Sequence, residues 1–159
     1  MSHFDPPGPK PAGIPLDARA PFSSAVLHGE TLYLSGVLDL DPATRKPGTS
    51  TRESARLVLD NLKRSVEGAG LKMDDLLWVQ VFATDLGSFN AFGAVYETYF
   101  SGPLPARTFV GVTGLMGGAH FAVLIASFQV PKRLGWKTDL AQLTNFNRKY
   151  VWATGGFIV

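Results

Sequence analysis

The sequence predicts an α+β domain with two helices packed on one face of a mixed sheet, in the order β-β-α-β-α-β-β. Three observations carry this prediction. Short apolar segments of strand length are bounded by Gly, Pro and Asp. Two longer segments place apolar residues at helical spacing. Strands and helices also occur as separate blocks rather than in strict alternation.

Residues 24–28 and 31–36 read as two strands around His28-Gly29-Glu30, a tight hairpin in which Gly29 supplies a positive φ. Residues 39–48 form a turn-rich loop. Ser50-Thr51-Arg52-Glu53 fits a capping box that opens a helix reaching Glu67, with Leu57, Leu59, Leu62 and Val66 as its apolar stripe. Gly68-Ala69-Gly70 stops it. Asp74 and Asp75 read as a solvated turn leading into a strand over 76–83. A second helix is expected over 88–100, turning Phe89, Phe92, Val95, Tyr96 and Tyr99 inward, until Ser101-Gly102-Pro103 ends it. Two last strands, 106–112 and 120–130, are joined by Gly114-Leu115-Met116-Gly117-Gly118. The segment 121–126 is apolar on both sides, which predicts that another subunit covers one face and that the protein is an oligomer.

At 159 residues the chain fits one domain in three parts. Residues 1–20 are rich in Pro and Gly (Pro6, Pro7, Pro9, Pro11, Gly13, Pro15) and read as an arm without regular structure. Residues 21–130 hold the periodic signals. Residues 131–159 read as an extension that packs on the body or on a neighbouring subunit. The absence of cysteine excludes disulfides, thiolate metal sites and cysteine nucleophiles. No membrane-length apolar run or signal peptide is visible, and a cytoplasmic location is expected. A net charge of +2 without a dense basic face argues against nucleic acid as a partner. The small cluster Lys132, Arg133 and Lys137 reads as a solvated face.

Arg107 stands out chemically. A guanidinium is permanently charged and carries five donors, so an arginine opening a core strand either pairs with a buried acid or waits for an anionic ligand. His120 lies two residues before Ala122, and strand alternation would put both on one face. A neutral imidazole there could take a proton from water; the alternative is a partly solvated strand entrance. The glycines of 114–118 lack the lysine and the strand–loop–helix setting of a phosphate loop. His3 and His28 have no clear partner, and Glu97 stands one helical turn from Gly93. No metal or cofactor is expected.

Several strings resemble the RidA family (the YjgF group, once named L-PSP endoribonuclease). They are Pro21-Phe22-Ser23-Ser24-Ala25, Leu32-Tyr33-Leu34-Ser35-Gly36, Asp60-Asn61-Leu62, Glu67-Gly68-Ala69-Gly70-Leu71, Val81-Phe82-Ala83-Thr84-Asp85-Leu86, Tyr96-Glu97-Thr98-Tyr99-Phe100 and Pro105-Ala106-Arg107-Thr108. The resemblance covers about residues 21–130. It implies a chorismate-mutase-like subunit and a homotrimer with ligand clefts between subunits. For part of the family it also implies hydrolysis of enamines and imines to 2-oxo acids and ammonia. Arg107 and the adjoining Thr108 match the substrate carboxylate clamp, and Ser35 and Gly36 match the cleft lining. The sequence departs from the pattern elsewhere. Ala122 replaces the acid/base glutamate and Leu124 the next acid. Phe22 replaces a tyrosine, Gly93 an asparagine, and Phe109 a cysteine or serine. The resemblance therefore leaves three readings: a deaminase for 2-imino acids with a substituted proton carrier such as His120, a non-catalytic trimer binding small carboxylates, or an RNA-cleaving translation inhibitor. The last would call for interleaved basic and aromatic residues, which the body lacks. The C-terminal extension offers Asn145, Asn147, Arg148 and Tyr150 as polar groups that could reach the cleft.

Overall fold

The computed structural model describes residues 2–4, 22–23, 25–28 and 31–128. The elements are β1 (Ser2–Phe4), β2 (Ala25–His28), β3 (Thr31–Leu38), α1 (Thr51–Gly68), β4 (Leu76–Ala83), α2 (Phe89–Tyr96), β5 (Ala106–Gly111) and β6 (Phe121–Phe128). They form one sheet of order β1-β2-β3-β6-β4-β5. Every pairing is antiparallel except β4 with β5, which is parallel. The α+β architecture predicted from the pattern is therefore present. The turn at Gly29, the basic cluster at 132–137 and the whole C-terminal extension lie outside the described residues.

β1 departs from the expectation of an arm without regular structure. Ser2–Phe4 pairs with β2, with Ser2 opposite Leu27 and Phe4 opposite Ala25. These residues precede the first proline, so every N–H donor that the ladder needs is intact; the rest of the arm lies outside the described residues.

α1 begins where the polar residues predict. Ser50 is the N-cap and its Oγ accepts the Glu53 N–H at 3.2 Å. The Glu53 carboxylate, however, takes the Thr49 N–H at 2.7 Å and the Thr49 hydroxyl at 2.6 Å, one residue earlier than a capping box requires. The helix closes with Gly70 at φ +79°. There the Gly70 N–H bonds the Glu67 carbonyl and the Leu71 N–H bonds the Val66 carbonyl, the paired bonds of a Schellman ending. The buried stripe runs through Ala55, Val58, Leu59, Leu62 and Val66 rather than through Leu57, which is only partly buried. It packs on Val79, Val81, Phe121 and Val123 of the sheet.

The second helical segment is broken, unlike the continuous helix over 88–100 that spacing predicts. A 3₁₀ turn at Leu86–Ser88 precedes α2, and another at Glu97–Tyr99 follows it. The Asp85 side chain holds the first turn by accepting the Gly87 N–H at 2.8 Å. At the second, the Thr98 hydroxyl bonds the Val95 carbonyl three residues back at 2.6 Å, a local bond that suits the tighter winding. Phe92, Val95 and Tyr96 enter the core, whereas Phe89 stays 46% exposed. Asp74 and Asp75 lie in a further short turn, Met73–Asp75, where Asp75 accepts the Lys72 N–H and Asp74 binds Ser101. On β6, Phe121 and Val123 face the helices, so Ala122 between them faces the other way.

Candidate functional site

β5 has β4 on one side and no described strand on the other, so Arg107 projects from a sheet edge. Its side chain lies on the α2 side. The guanidinium carbon is 4.8 Å from the Tyr96 ring centre, 5.1 Å from Phe89 and 5.9 Å from Phe92. Phe109, two residues along on the same face, closes the aromatic group against Phe89 at 5.2 Å and Phe92 at 5.6 Å. Gly93 stands beside it: a Cβ there would meet the two terminal guanidinium nitrogens at 3.9 Å and 4.0 Å, ordinary contact distances. Among the described residues no carboxylate pairs with Arg107 and no acceptor takes its hydrogen bonds. Ring faces attract the cation without using its N–H groups. The donors therefore remain available in a partly buried setting.

Tyr96 adds to the same group. Burial pushes its phenol up to about 12, against the opposing pull of the Arg107 charge, so the hydroxyl is neutral at working pH. That hydroxyl is buried and has no hydrogen-bond partner among the described residues. Helical spacing carries the inward faces of Phe92 and Tyr96, but it does not foretell that Phe89 and Tyr96 will lie on a cation from a strand ten residues further on.

The structure joins Arg107, Phe109 and Gly93 and places the other expected site residues elsewhere. Thr108 is partly buried on the opposite face of β5. The Ser35 hydroxyl bonds the Ser23 carbonyl at 2.7 Å, next to the exposed Phe22, and Gly36 follows on the same strand. This group sits on β3, three strand spacings from β5, roughly 14 Å within one chain. Ala122 is paired between Leu38 and Phe82 on the face away from the helices.

His120 also lies apart from Arg107. Arg107 is level with Val79, and Val79 with Ile125, so five residues of β6, roughly 16 Å, separate the two. Nor does the imidazole share a face with Ala122. His120 precedes β6, and its ring turns to the start of α1, where Nδ1 is 3.0 Å from the Ser54 hydroxyl and 3.2 Å from the Asp39 carboxylate. Asp39 and Ser54 stand 81 and 66 residues from His120 in sequence, so no local pattern joins them to it. The only local sign of Asp39 is an acid between two leucines, Leu38-Asp39-Leu40, at a strand end.

The α+β subunit thus holds an arginine on aromatic rings at a sheet edge, with no acceptor among the described residues. Comparison with known proteins gives the family. Residues 14–127 match the model of the family described as Endoribonuclease L-PSP, and the chain belongs to it. A RutC family protein of Sulfurisphaera tokodaii is 38% identical over 123 residues, covering 77% of this chain and 93% of the relative. The mouse 2-iminobutanoate/2-iminopropanoate deaminase is 33% identical over 116 residues, covering 72% and 85%. Among solved structures, RidA from Psychrobacter sp. PAMC 21119 superposes with a TM-score of 0.66 at 30% identity, covering 76% of this chain and 93% of that one. E. coli TdcF with bound serine gives 0.65 at 29% identity, covering 70% and 90%. Among the described residues, no helix is long and apolar enough to cross a membrane.

Proposed function

We propose that this chain is a cytoplasmic homotrimer that binds a small carboxylate through Arg107 and hydrolyses 2-imino acids to 2-oxo acids and ammonia. The observation that carries this reading is the guanidinium held on Tyr96, Phe89 and Phe92 with no acceptor among the described residues. A guanidinium so placed offers a fork of two parallel N–H bonds to a carboxylate. The rings beside it suit a short apolar substituent. Relatives named as deaminases of 2-iminobutanoate and 2-iminopropanoate, and a structural relative with bound serine, support a ligand of this size and charge. The trimer is supported by the separation of the Phe22–Ser35–Gly36 group from Arg107, which a neighbouring copy would close into one cleft.

In the proposed reaction, water adds its oxygen to C2 of the imine and its protons reach nitrogen. The C–N bond then breaks to give ammonia and the 2-oxo acid. Arg107 orients the substrate and neutralises its carboxylate, which makes C2 more electrophilic. Ala122 has no proton-carrying atom, and a general acid–base group ordinarily contributes about 10²–10⁴-fold. Turnover is therefore slower by a factor of this order than in relatives that keep the glutamate. The same alanine favours a second reading, a trimer that binds carboxylates without turnover.

The test is hydrolysis of 2-aminoacrylate, generated in situ by a serine dehydratase, with wild type and Arg107→Ala compared. Acceleration by wild type that disappears in Arg107→Ala supports the deaminase. No acceleration, together with binding of 2-oxobutanoate by calorimetry, supports the second reading. Neither turnover nor binding ends both.

A further inference from the structure

A second chemical centre lies at the other end of the sheet. Asp39, at 0% exposure, closes β3. Its Oδ1 accepts the N–H groups of His120 at 2.8 Å and Phe121 at 3.0 Å, and its Oδ2 faces His120 Nδ1 at 3.2 Å. The Asn61 amide holds the carbonyls of Leu38 and Leu40 on either side, both at 2.9 Å, which fixes the backbone that presents Asp39. The Ser54 hydroxyl lies 3.0 Å from Nδ1 and 3.4 Å from the Gly48 carbonyl. An ionised Asp39 carboxylate can only accept, so Nδ1 facing it carries the proton. In the neutral ring Nε2 then carries the lone pair. Nε2 has no partner among the described residues, and the side chain is half exposed.

His120 borders a cavity of about 280 Å³, whose wall includes Ser50, Thr51, Thr84, Asp85 and Ser88. Gly48, also in the wall, is required there: a Cβ would stand 2.5 Å from the Ser54 nitrogen. An orienting acid, an imidazole with a free Nε2, and a polar cavity beside it make a base with room for a water and a small electrophile. The Thr51 N–H precedes the first intrahelical bond of α1, and Thr51 lines the cavity, so this helix start offers a backbone donor at the cavity wall. Among the described residues no lysine or arginine lines the cavity, while Asp85 does and the Glu53 carboxylate lies close by on Thr49. Such a site selects against anions.

We propose that His120 is the general base of a second hydrolytic site, with Asp39 and Ser54 as positioning residues, acting on small uncharged carbonyl compounds such as activated esters. Nε2 takes a proton from water as the water oxygen bonds to the acyl carbon. The carbon–alkoxide bond then breaks, and the proton leaves Nε2 for the departing oxygen or for solvent. This site is separate from the carboxylate clamp and does not depend on it.

The experiment uses the full chain with p-nitrophenyl acetate as the probe. Wild type accelerates hydrolysis over buffer, and His120→Gln, at a half-exposed position, loses at least about tenfold of that rate. Asp39→Asn lowers kcat while leaving KM in place. In wild type, ¹⁵N NMR of His120 shows the proton on Nδ1, and in Asp39→Asn that preference is lost. Saturating 2-oxobutanoate leaves the ester rate unchanged. A wild-type rate equal to buffer, a fully active His120→Gln, a proton on Nε2, or inhibition by 2-oxobutanoate would each overturn the proposal. If Asp39→Asn does not fold, the wild-type spectrum and His120→Gln still decide.

Discussion

The two ends of the sheet treat their charged groups in opposite ways. At the β5 edge, Arg107 has three aromatic rings and no acceptor among the described residues. At the β3–β6 end, Asp39 is wholly buried, and its two oxygens face two backbone N–H groups and an imidazole. A carboxylate removed from water is tolerated only when such partners replace hydration. A partly buried guanidinium can rest its charged plane on ring faces, which attract the cation without using its N–H donors. The contrast separates a group that the fold needs from one that the fold leaves available.

Removing each group tests that contrast directly. Asp39→Ala strands the buried Phe121 N–H and the part-buried His120 N–H and should lower the unfolding free energy by about 3 kcal/mol in urea denaturation. Arg107→Met, which keeps an unbranched chain on the rings, should change stability by less than about 1 kcal/mol. The same substitution should weaken 2-oxobutanoate binding by about tenfold to a hundredfold in calorimetry. Equal loss of stability at both positions would erase the distinction and make Arg107 architectural. Gly93→Ala sharpens it further. The new methyl meets only the guanidinium at 3.9 Å and 4.0 Å, both ordinary contacts, inside a helix where alanine is preferred. Stability should rise by roughly 0.5–1 kcal/mol while carboxylate affinity falls, because the methyl screens the nitrogens the ligand uses.

What the sequence made legible follows from how local each signal is. Ser50 at the start of α1 and Gly70 at its end act within one turn of themselves, and both are found where the pattern puts them. Arg107 was legible as a residue whose chemistry demands an explanation. The rings that cradle it were not, since they depend on how α2 crosses β5. Asp39 and His120 are further still from local sight, at a separation of 81 residues, and Ser54 and His120 are 66 apart. Strand alternation misplaced His120 for a related reason. Alternation holds inside a ladder, and His120 stands just before β6, where Asp39 fixes the backbone and the ring is free to turn to α1. The choice of Val58 over Leu57 for the core is likewise set by the sheet against which α1 rotates. β1 depends on the open edge of β2, which nothing in three residues can announce.

The smallest expected effect extends the comparison to the solvated surface, where a carboxylate is partnered as Asp39 is but without burial. The Asp74 carboxylate binds both the hydroxyl and the N–H of Ser101, the latter at 2.9 Å. The Ser101 hydroxyl first and its N–H second hold Asp74 below the usual carboxylate range. A folded-state value below the unfolded one means stabilisation that is present above the unfolded value and lost as pH falls through the folded one. Ser101→Ala should therefore move the Asp74 titration upward, towards the usual range, in ¹³C NMR of its carboxyl carbon. The stabilities of the variant and wild type should differ most at neutral pH and converge in acid. An unmoved titration would show that water replaces the lost hydroxyl fully. Partnering would then matter only where burial enforces it, as at Asp39.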